Sequence, residues 1–172
     1  MPTTPPSAVE ALATLTEAVR LGFRDELTPP ALVGIHTGGC WVADELGRAL
    51  GVAPDQIGQL DVGFHRDDFA ERGMRKVPLP TRLQGDLSGR PVLLIDDVLH
   101  SGRTIRAAIN ALFEFGRPSR IWLAVLADRG GRQLPISPDF VGVTVDVPAD
   151  QMLRLSGPDP LALTLQPPTS SP

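Results

Sequence analysis

Short apolar runs alternate with helical patterns along most of the chain. The longer runs predict strands at residues 31–35, 57–64, 91–95 and 121–127, and shorter extended segments are predicted at 139–147, 152–155 and 161–165. Runs that are apolar at every position are typical of parallel strands buried on both faces. The alternation of strands with helices therefore predicts a single α/β domain, in which helices cover both faces of a mostly parallel sheet.

Three segments have the spacing of amphipathic helices. Ser7 and Glu10 form a capping-box pattern at the start of the first helix. The glycine-rich turn HTGG precedes the second helix, which Gly51 ends, and Gly116 with Pro118 ends the third. The apolar faces predicted to point inward consist of Leu12, Leu15, Val19 and Phe23 in the first helix and of Ile105, Ile109, Leu112 and Phe113 in the third.

The composition changes at both ends of the chain and once in its middle. Proline, threonine and serine dominate residues 1–6 and 166–172, so we expect disordered tails on either side of one domain at 7–165. Residues from about 65 to 90 are polar and charged without a clear period, which predicts a long flexible loop. A loop of that length in a compact domain is usually functional or disordered.

Charge and composition then narrow the classes of function. The net charge of −4 argues against a surface devoted to nucleic acid. Cys40 is the only cysteine, which excludes a disulfide framework and a zinc site built from cysteines. The chain has no apolar run of about 18 residues and no signal pattern, so we expect a cytoplasmic protein with no membrane contact.

Polar and glycine-rich residues follow each predicted strand of the central sheet. These segments are 36–39, 66–68, 96–104 and 128–131. Because ligands of open α/β sheets bind beyond the carboxyl ends of the strands, we expect the four loops to converge on one site.

The stretch VLLIDDVLHSGRT carries the clearest chemistry. Asp96 and Asp97 end a buried strand, where two adjacent carboxylates are costly unless a ligand binds them. The hydroxyl and glycine residues of 101–104 precede a helix, and a helix N-terminus binds phosphate. A ribose 5-phosphate would satisfy both ends. One alternative is a simple turn followed by a helix cap. Another is a metal site formed by the two aspartates, which we rank lower because adjacent residues of a strand point in opposite directions.

The same thirteen residues resemble the signature of the type I phosphoribosyltransferases, in which such a segment binds the ribose 5-phosphate of phosphoribosyl pyrophosphate (PRPP). Within that family the chain is similar to the bifunctional PyrR proteins, pyrimidine-operon regulators with uracil phosphoribosyltransferase activity. The resemblance covers roughly residues 31–155 and rests on the stretches GIHTGG, LDVGFHRDDF, IDDVLHSGRTIRAA, GRPSRIWLAVLADRGGRQLP and PDFVG.

The resemblance implies a role for each loop. Asp96 and Asp97 would bind the ribose hydroxyls and act in catalysis together with Arg66, and residues 65–90 would close over the substrates as a hood. The residues implied in PRPP binding are His36, Thr37, Gly38, Gly39, Arg66, Asp96, Asp97, His100, Ser101, Gly102, Arg103 and Thr104. Those implied in the base pocket are Ala127, Asp128, Arg129, Phe140 and Val141, with Phe140 stacking on the base.

The implied reaction converts uracil and PRPP to UMP and pyrophosphate. Mg²⁺ would arrive on the pyrophosphate, so we expect no metal site built from side chains. A homodimer or a higher homo-oligomer is expected. Two alternatives stay open: a regulator that senses PRPP or UMP and binds RNA with little catalysis, and a transferase for another base. The acidic net charge, together with Gly131 where RNA-binding relatives have histidine, argues against RNA.

Overall fold

The computed structural model describes residues 4–63 and 80–167. Predictions that fall on residues 1–3, 64–79 and 168–172 lie outside the described residues, and they include the role of Arg66. The elements in the described part of the chain are α1 (Ala8–Gly22), β1 (Ala31–Ile35), α2 (Gly38–Leu50), β2 (Gly58–Leu60), β3 (Pro91–Leu99), α3 (Arg103–Leu112), β4 (Arg120–Asp128), β5 (Phe140–Thr144), β6 (Met152–Ser156) and β7 (Ala162–Gln166), with short 3₁₀ turns at Pro54–Gln56 and Phe113–Phe115.

Five strands form the central sheet in the order β2-β1-β3-β4-β5, and every neighbouring pair is parallel. The predicted fold class is therefore confirmed. Because the strands are parallel, their last residues lie along one side of the sheet, which we call the carboxyl edge. Ile35, Leu99 and Asp128 end β1, β3 and β4 there.

Two apolar cores lie on the two faces of the sheet. Residues of α1 and α2, such as Leu15 and Leu46, pack with Leu93 and Ile95 of β3 on one face. On the other face Leu94 and its neighbours pack against α3. Successive residues of one strand thus alternate between the two cores, as the pleat of a strand requires. Burial on both faces explains why the strands are continuously apolar.

The last two strands leave the central sheet. β6 and β7 pair with each other in antiparallel register, with Leu153 opposite Leu165. Leu153 and Leu163 are buried in the core that contains α1 and α2. The predicted extended segments at 152–155 and 161–165 are therefore strands, but they form a separate hairpin over that core.

Helix ends follow the predicted signals except in α3. The Ser7 hydroxyl accepts a hydrogen bond from the Glu10 N–H at 3.3 Å, and Gly51 ends α2 in a left-handed conformation with φ of 74°. The α3 helix ends at Leu112 and gives way to a 3₁₀ turn, which leaves Phe113 52% exposed. The prediction that Phe113 points inward is therefore wrong.

The end of the predicted loop at 65–90 is packed against the domain. Backbone bonds run both ways between Gln59 and Arg82, each at 2.7 Å. Leu87 is buried, and its N–H donates to the Phe115 carbonyl at 2.9 Å. These contacts anchor residues 82–87 beside β2 and the end of α3.

Candidate functional site

Strand β3 carries both aspartates of the DD pair to the carboxyl edge. The strand extends to Leu99, beyond the predicted end at residue 95, because Asp96 and Val98 continue the register with β4. Asp96 is buried, with 3% of its surface exposed, and Asp97 is half-buried. The Asp97 N–H donates to Oδ1 of Asp96 at 2.9 Å, and the Val98 N–H donates to Oδ1 of Asp97 at 2.9 Å. Backbone amides therefore hold one oxygen of each carboxylate.

The N-terminus of α2 lies directly against this pair. A Cβ at Gly38 would collide with the Asp97 carboxylate, and one at Gly39 would collide with the Ile95 carbonyl beside Asp96. Two glycines are needed here because no side chain fits between the helix and the strand. The positive end of the α2 dipole therefore faces a carboxylate.

The segment before α2 turns sharply between β1 and the helix. The His36 N–H donates to the Leu60 carbonyl at 2.9 Å, and the His36–Thr37 peptide is cis. Thr37 is the N-cap residue, and its carbonyl accepts from Cys40 and Trp41 at 3.2 and 3.4 Å. Cys40 itself is buried, in accord with a packing role.

A second helix N-terminus meets the same edge after β3. We call residues His100–Thr104 the Ser101 loop. Ser101 is buried, and its Oγ accepts from the Arg103 N–H at 3.2 Å. Gly102 has φ of 90° and is the N-cap of α3. The first N–H groups of a helix have no intrahelical acceptor, so this turn presents donors suited to an anion.

His100 lies beside the next loop of the carboxyl edge. Its Nδ1 is 2.9 Å from the Gly130 carbonyl. A Cβ at Gly131, which has φ of 74°, would collide with the His100 ring. The histidine in the Ser101 loop and the glycine at 131 are therefore in direct contact.

Strand β4 brings Ala127, Asp128 and Arg129 to the same edge, since Val98 pairs with Ala127 and Leu99 with Asp128. Burial raises the pKa of Asp128, but the hydrogen bond from Arg132, the Gly130 N–H and the charge of Arg132 together bring that pKa below its ordinary value.

Arg129 lies next to the segment that leads into β6. Its Nη2 donates to the Gln151 carbonyl at 3.3 Å. Burial lowers the pKa of the Arg129 guanidinium from its ordinary value. Arg129 therefore joins the end of β4 to residue 151, a contact that the sequence pattern did not reveal.

Phe140 and Val141 lie at the opposite end of their strand. They begin β5 and pair with Ala124 and Val125, whereas Thr144 pairs with Asp128 at the carboxyl edge. The Phe140 ring packs on Phe23 with ring centroids 5.3 Å apart. The pairing register therefore places these two residues, which the resemblance implied in the base pocket, about four residues, or ~13 Å, from the carboxyl edge.

Two further findings bear on the site. Among residues 4–63 and 80–167, no group of three or more His, Cys, Asp or Glu side chains is arranged to hold a metal ion. None of the helices in the same residues combines the length and the apolar character needed to cross a membrane. Arg132 was missed by sequence reasoning, because its ion pair with Asp128, at 2.6 Å, lies in a loop where a spacing of four residues carries no signal.

Comparison with known proteins decides the family. A family model described as a phosphoribosyl transferase domain matches residues 6–152. The chain belongs to the phosphoribosyltransferase family. This confirms the family resemblance seen in the DD stretch.

Curated relatives place this phosphoribosyltransferase near the PyrR proteins. It is 45% identical over 159 residues to a "Bifunctional protein PyrR" of Pseudomonas aeruginosa strain LESB58. That alignment covers 92% of this chain and 93% of the relative. It is 44% identical over 142 residues to a protein of the same name from Nitrosococcus oceani. That alignment covers 82% of this chain and 80% of the relative. The resemblance to PyrR is therefore also confirmed.

A solved structure supports the fold. A hypoxanthine phosphoribosyltransferase of Trypanosoma cruzi superposes with a TM-score of 0.64 at 19% identity, covering 87% of this chain and 80% of that one. At that identity the likeness concerns the fold alone, and it agrees with the parallel sheet and flanking helices described above.

Proposed function

We propose that the protein is a uracil phosphoribosyltransferase of the PyrR type, which converts uracil and PRPP to UMP and pyrophosphate. The observation that carries the proposal is the carboxyl edge itself. There the Asp96–Asp97 pair lies against the N-terminus of α2, and the same strand leads into the N-terminus of α3. Two carboxylates and two anion-binding helix termini match a sugar that carries a phosphate at one end and a pyrophosphate at the other.

The ribose would lie on the two aspartates. Their oxygens accept hydrogen bonds from the ribose hydroxyls, and residues 101–104 hold the 5-phosphate. As the bond between C1 and the pyrophosphate oxygen breaks, positive charge develops on the ribose ring, and the carboxylates stabilise it. A bond then forms between C1 and N1 of uracil, and the N1 proton leaves. The net change requires no covalent intermediate with the protein.

The pyrophosphate would lie at residues His36–Gly39, at the positive end of α2. Mg²⁺ binds substrate phosphates while keeping several waters, so we place it on the pyrophosphate, where it neutralises the leaving group. Arg66 and the predicted loop at 65–90, apart from its anchored residues 82–87, would close over the substrates and exclude water.

The base would bind where β4 ends. Ala127, Asp128 and Arg129 offer backbone groups and two side chains of opposite charge, whereas Phe140 and Val141 no longer belong to this pocket. Uracil is supported by the similarity to PyrR proteins over 92% of the chain. We also expect a homo-oligomer.

The test is a panel of bases incubated with PRPP and Mg²⁺, followed by pyrophosphate release and nucleotide identification. We expect uracil to give UMP, with guanine and hypoxanthine inactive. Turnover of a purine base without uracil would reject the substrate and leave the phosphoribosyltransferase site in place.

A second candidate function is regulation through RNA, with PRPP or UMP as the signal. The name of the relatives, which describes them as bifunctional, favours keeping it. Binding of PRPP and of leader RNA without pyrophosphate release in the presence of any base would support this function over catalysis.

A further inference from the structure

The Ser101 loop is covered on one side by the segment that follows β4. We call residues Arg129–Ile136 the Arg132 loop. Its backbone reaches the Ser101 loop directly, because the N–H groups of Gln133 and Leu134 both donate to the Ser101 carbonyl, at 2.9 and 3.2 Å. The Arg103 Nε donates to Oε1 of Gln133 at 2.9 Å. The two loops therefore form one hydrogen-bonded unit.

Arg132 is the side chain that ties this unit together. Its Nη1 donates to the His100 carbonyl at 2.9 Å, and its Nε donates to the Ile136 carbonyl at 3.0 Å. Its Nη2 donates to Oδ2 of Asp128 at 2.6 Å. The two charged side chains are largely buried, with 24% of Arg132 and 16% of Asp128 exposed. One planar guanidinium thus fixes the end of β4, its own loop and the start of the Ser101 loop.

The directions of these bonds determine where the backbone donors of the Ser101 loop point. In a planar trans peptide the N–H points opposite to the carbonyl. The carbonyls of His100 and Ser101 point toward the Arg132 loop. The N–H groups of Ser101 and Gly102 therefore point away from it, toward the side left for a ligand.

The packing of Gly102 reinforces this orientation. Its φ of 90° suits glycine, and a Cβ there would come within 3.0 Å of the Ile136 side chain. The Ser101 loop is thus held by contacts on its outer side. Turning the His100–Ser101 peptide would break the bond from Arg132, and turning the Ser101–Gly102 peptide would break the bonds from Gln133 and Leu134.

We propose that Arg132 is a positioning residue for the 5-phosphate of PRPP, which acts by holding the His100 carbonyl so that the Ser101 N–H group of the same peptide faces the phosphate. The inference rests on the proposed function, because it assumes a phosphorylated ribose at this loop. It assigns to Arg132 no contact with the substrate.

The experiment measures ribose 5-phosphate binding by titration calorimetry, together with steady-state kinetics. Arg132→Gln should weaken ribose 5-phosphate binding by about tenfold to a hundredfold, because it removes charged hydrogen bonds that orient the donors. Arg132→Lys should recover only part of the loss, since an ammonium cannot reproduce the planar fork. Arg117→Gln removes an equal charge from an exposed site and should bind as the wild type does.

The kinetics separate positioning from general damage. In Arg132→Gln the KM for PRPP should rise, while the KM for uracil and the kcat at saturating PRPP stay within about twofold. Wild-type affinity of Arg132→Gln for ribose 5-phosphate would overturn the proposal, and so would an equal rise in both KM values. If Arg132→Gln does not fold, Arg132→Lys carries the same test, with unchanged ribose 5-phosphate affinity as the contrary result. Failure of the wild type to use uracil would reject the proposed substrate but would not alter these comparisons.

Discussion

At the residue scale the two aspartates are the most informative side chains, because the proposed function gives both carboxylates a role at the ribose. Asp96→Asn and Asp97→Asn should each lower kcat/KM for PRPP by about a hundredfold, since each removes a charge that stabilises the developing positive ribose. The fold should survive, because asparagine keeps an oxygen that can accept the amide bonds at Asp97 and Val98. Stability should stay level or rise as repulsion between the carboxylates falls. Initial rates and thermal unfolding of the purified variants measure both effects.

A matched control is available in Asp159→Asn, which replaces a carboxylate by an amide in the same way but on the exposed turn between β6 and β7. It should keep wild-type rates. Wild-type turnover in Asp96→Asn and Asp97→Asn would remove the ribose-binding role, and gross unfolding of either would favour the simple turn and helix cap considered from the sequence.

At the element scale the end of β4 has a pH dependence whose sign follows from Asp128. Burial raises its pKa, but the hydrogen bond from Arg132, the Gly130 N–H and the charge of Arg132 bring it below the ordinary value. A lowered pKa contributes stability that is complete above the unfolded value of about 3.9 and is lost as pH falls through the folded-state pKa. Asp128→Asn should therefore lower the free energy of unfolding by about 1 to 2 kcal/mol at neutral pH.

Urea unfolding of wild type and Asp128→Asn across the acid range tests this dependence. The difference between the two proteins should begin to shrink as the pH falls below about 4, where the carboxyl of the unfolded chain becomes protonated, and should be lost below the lower folded-state pKa. A difference that stays constant down to acid pH would show that the charge of Asp128 does not stabilise the end of β4.

The start of β5 gives a second test at this scale. Phe140 packs on Phe23, which in turn meets Trp122 with ring centroids 4.9 Å apart. Phe140→Ala should cost about 2 to 3 kcal/mol of stability, less than a fully buried ring because Phe140 is partly exposed. The KM for uracil should not change. The exposed Phe113→Ala serves as control and should cost at most about 0.5 kcal/mol. A raised uracil KM without loss of stability in Phe140→Ala would restore the stacking role.

The elements also show what the sequence could reveal about the fold. Strand β1 lies at residues 31–35 as predicted, because a short apolar run between a proline and a glycine turn has few other possibilities. Strand β3 is longer than its apolar run, since its aspartates keep the ladder with β4. Phe113 was predicted to point inward because the helical pattern of apolar residues continues past Leu112, where α3 ends. The pattern of apolar residues thus predicted where the strands lie, but hydrogen bonding between neighbouring strands determined where they end.

The residues of the candidate site were also predictable from the sequence only in part. Asp96 and the glycines at 38 and 39 were visible because buried carboxylates and paired glycines after strands are unusual. The position of Phe140 at the start of its strand was not visible, since a sequence gives the strand but not its register. Arg132 was missed because it lies in an irregular loop, where its partners at residues 100 and 136 are set by tertiary contacts alone.

At the scale of the whole molecule the charge balance bears on RNA. Phosphate contacts by free cations supply most of the nonspecific affinity for nucleic acid. The chain carries a net charge of −4, and the Arg132 guanidinium is engaged by Asp128 and two carbonyls. Binding to pyrimidine-operon leader RNA at about 150 mM salt should therefore be no tighter than micromolar.

Filter binding over a series of salt concentrations tests this expectation, with a scrambled RNA of equal length as control. A shallow salt dependence with no preference for the leader is expected, because few phosphates would be neutralised. Tight binding that selects the leader would require a basic surface that the charge of one chain does not supply. An assembly of several chains, each adding exposed arginines to a shared face, would then be the feature to find, and the regulatory function would stand beside the enzymatic one.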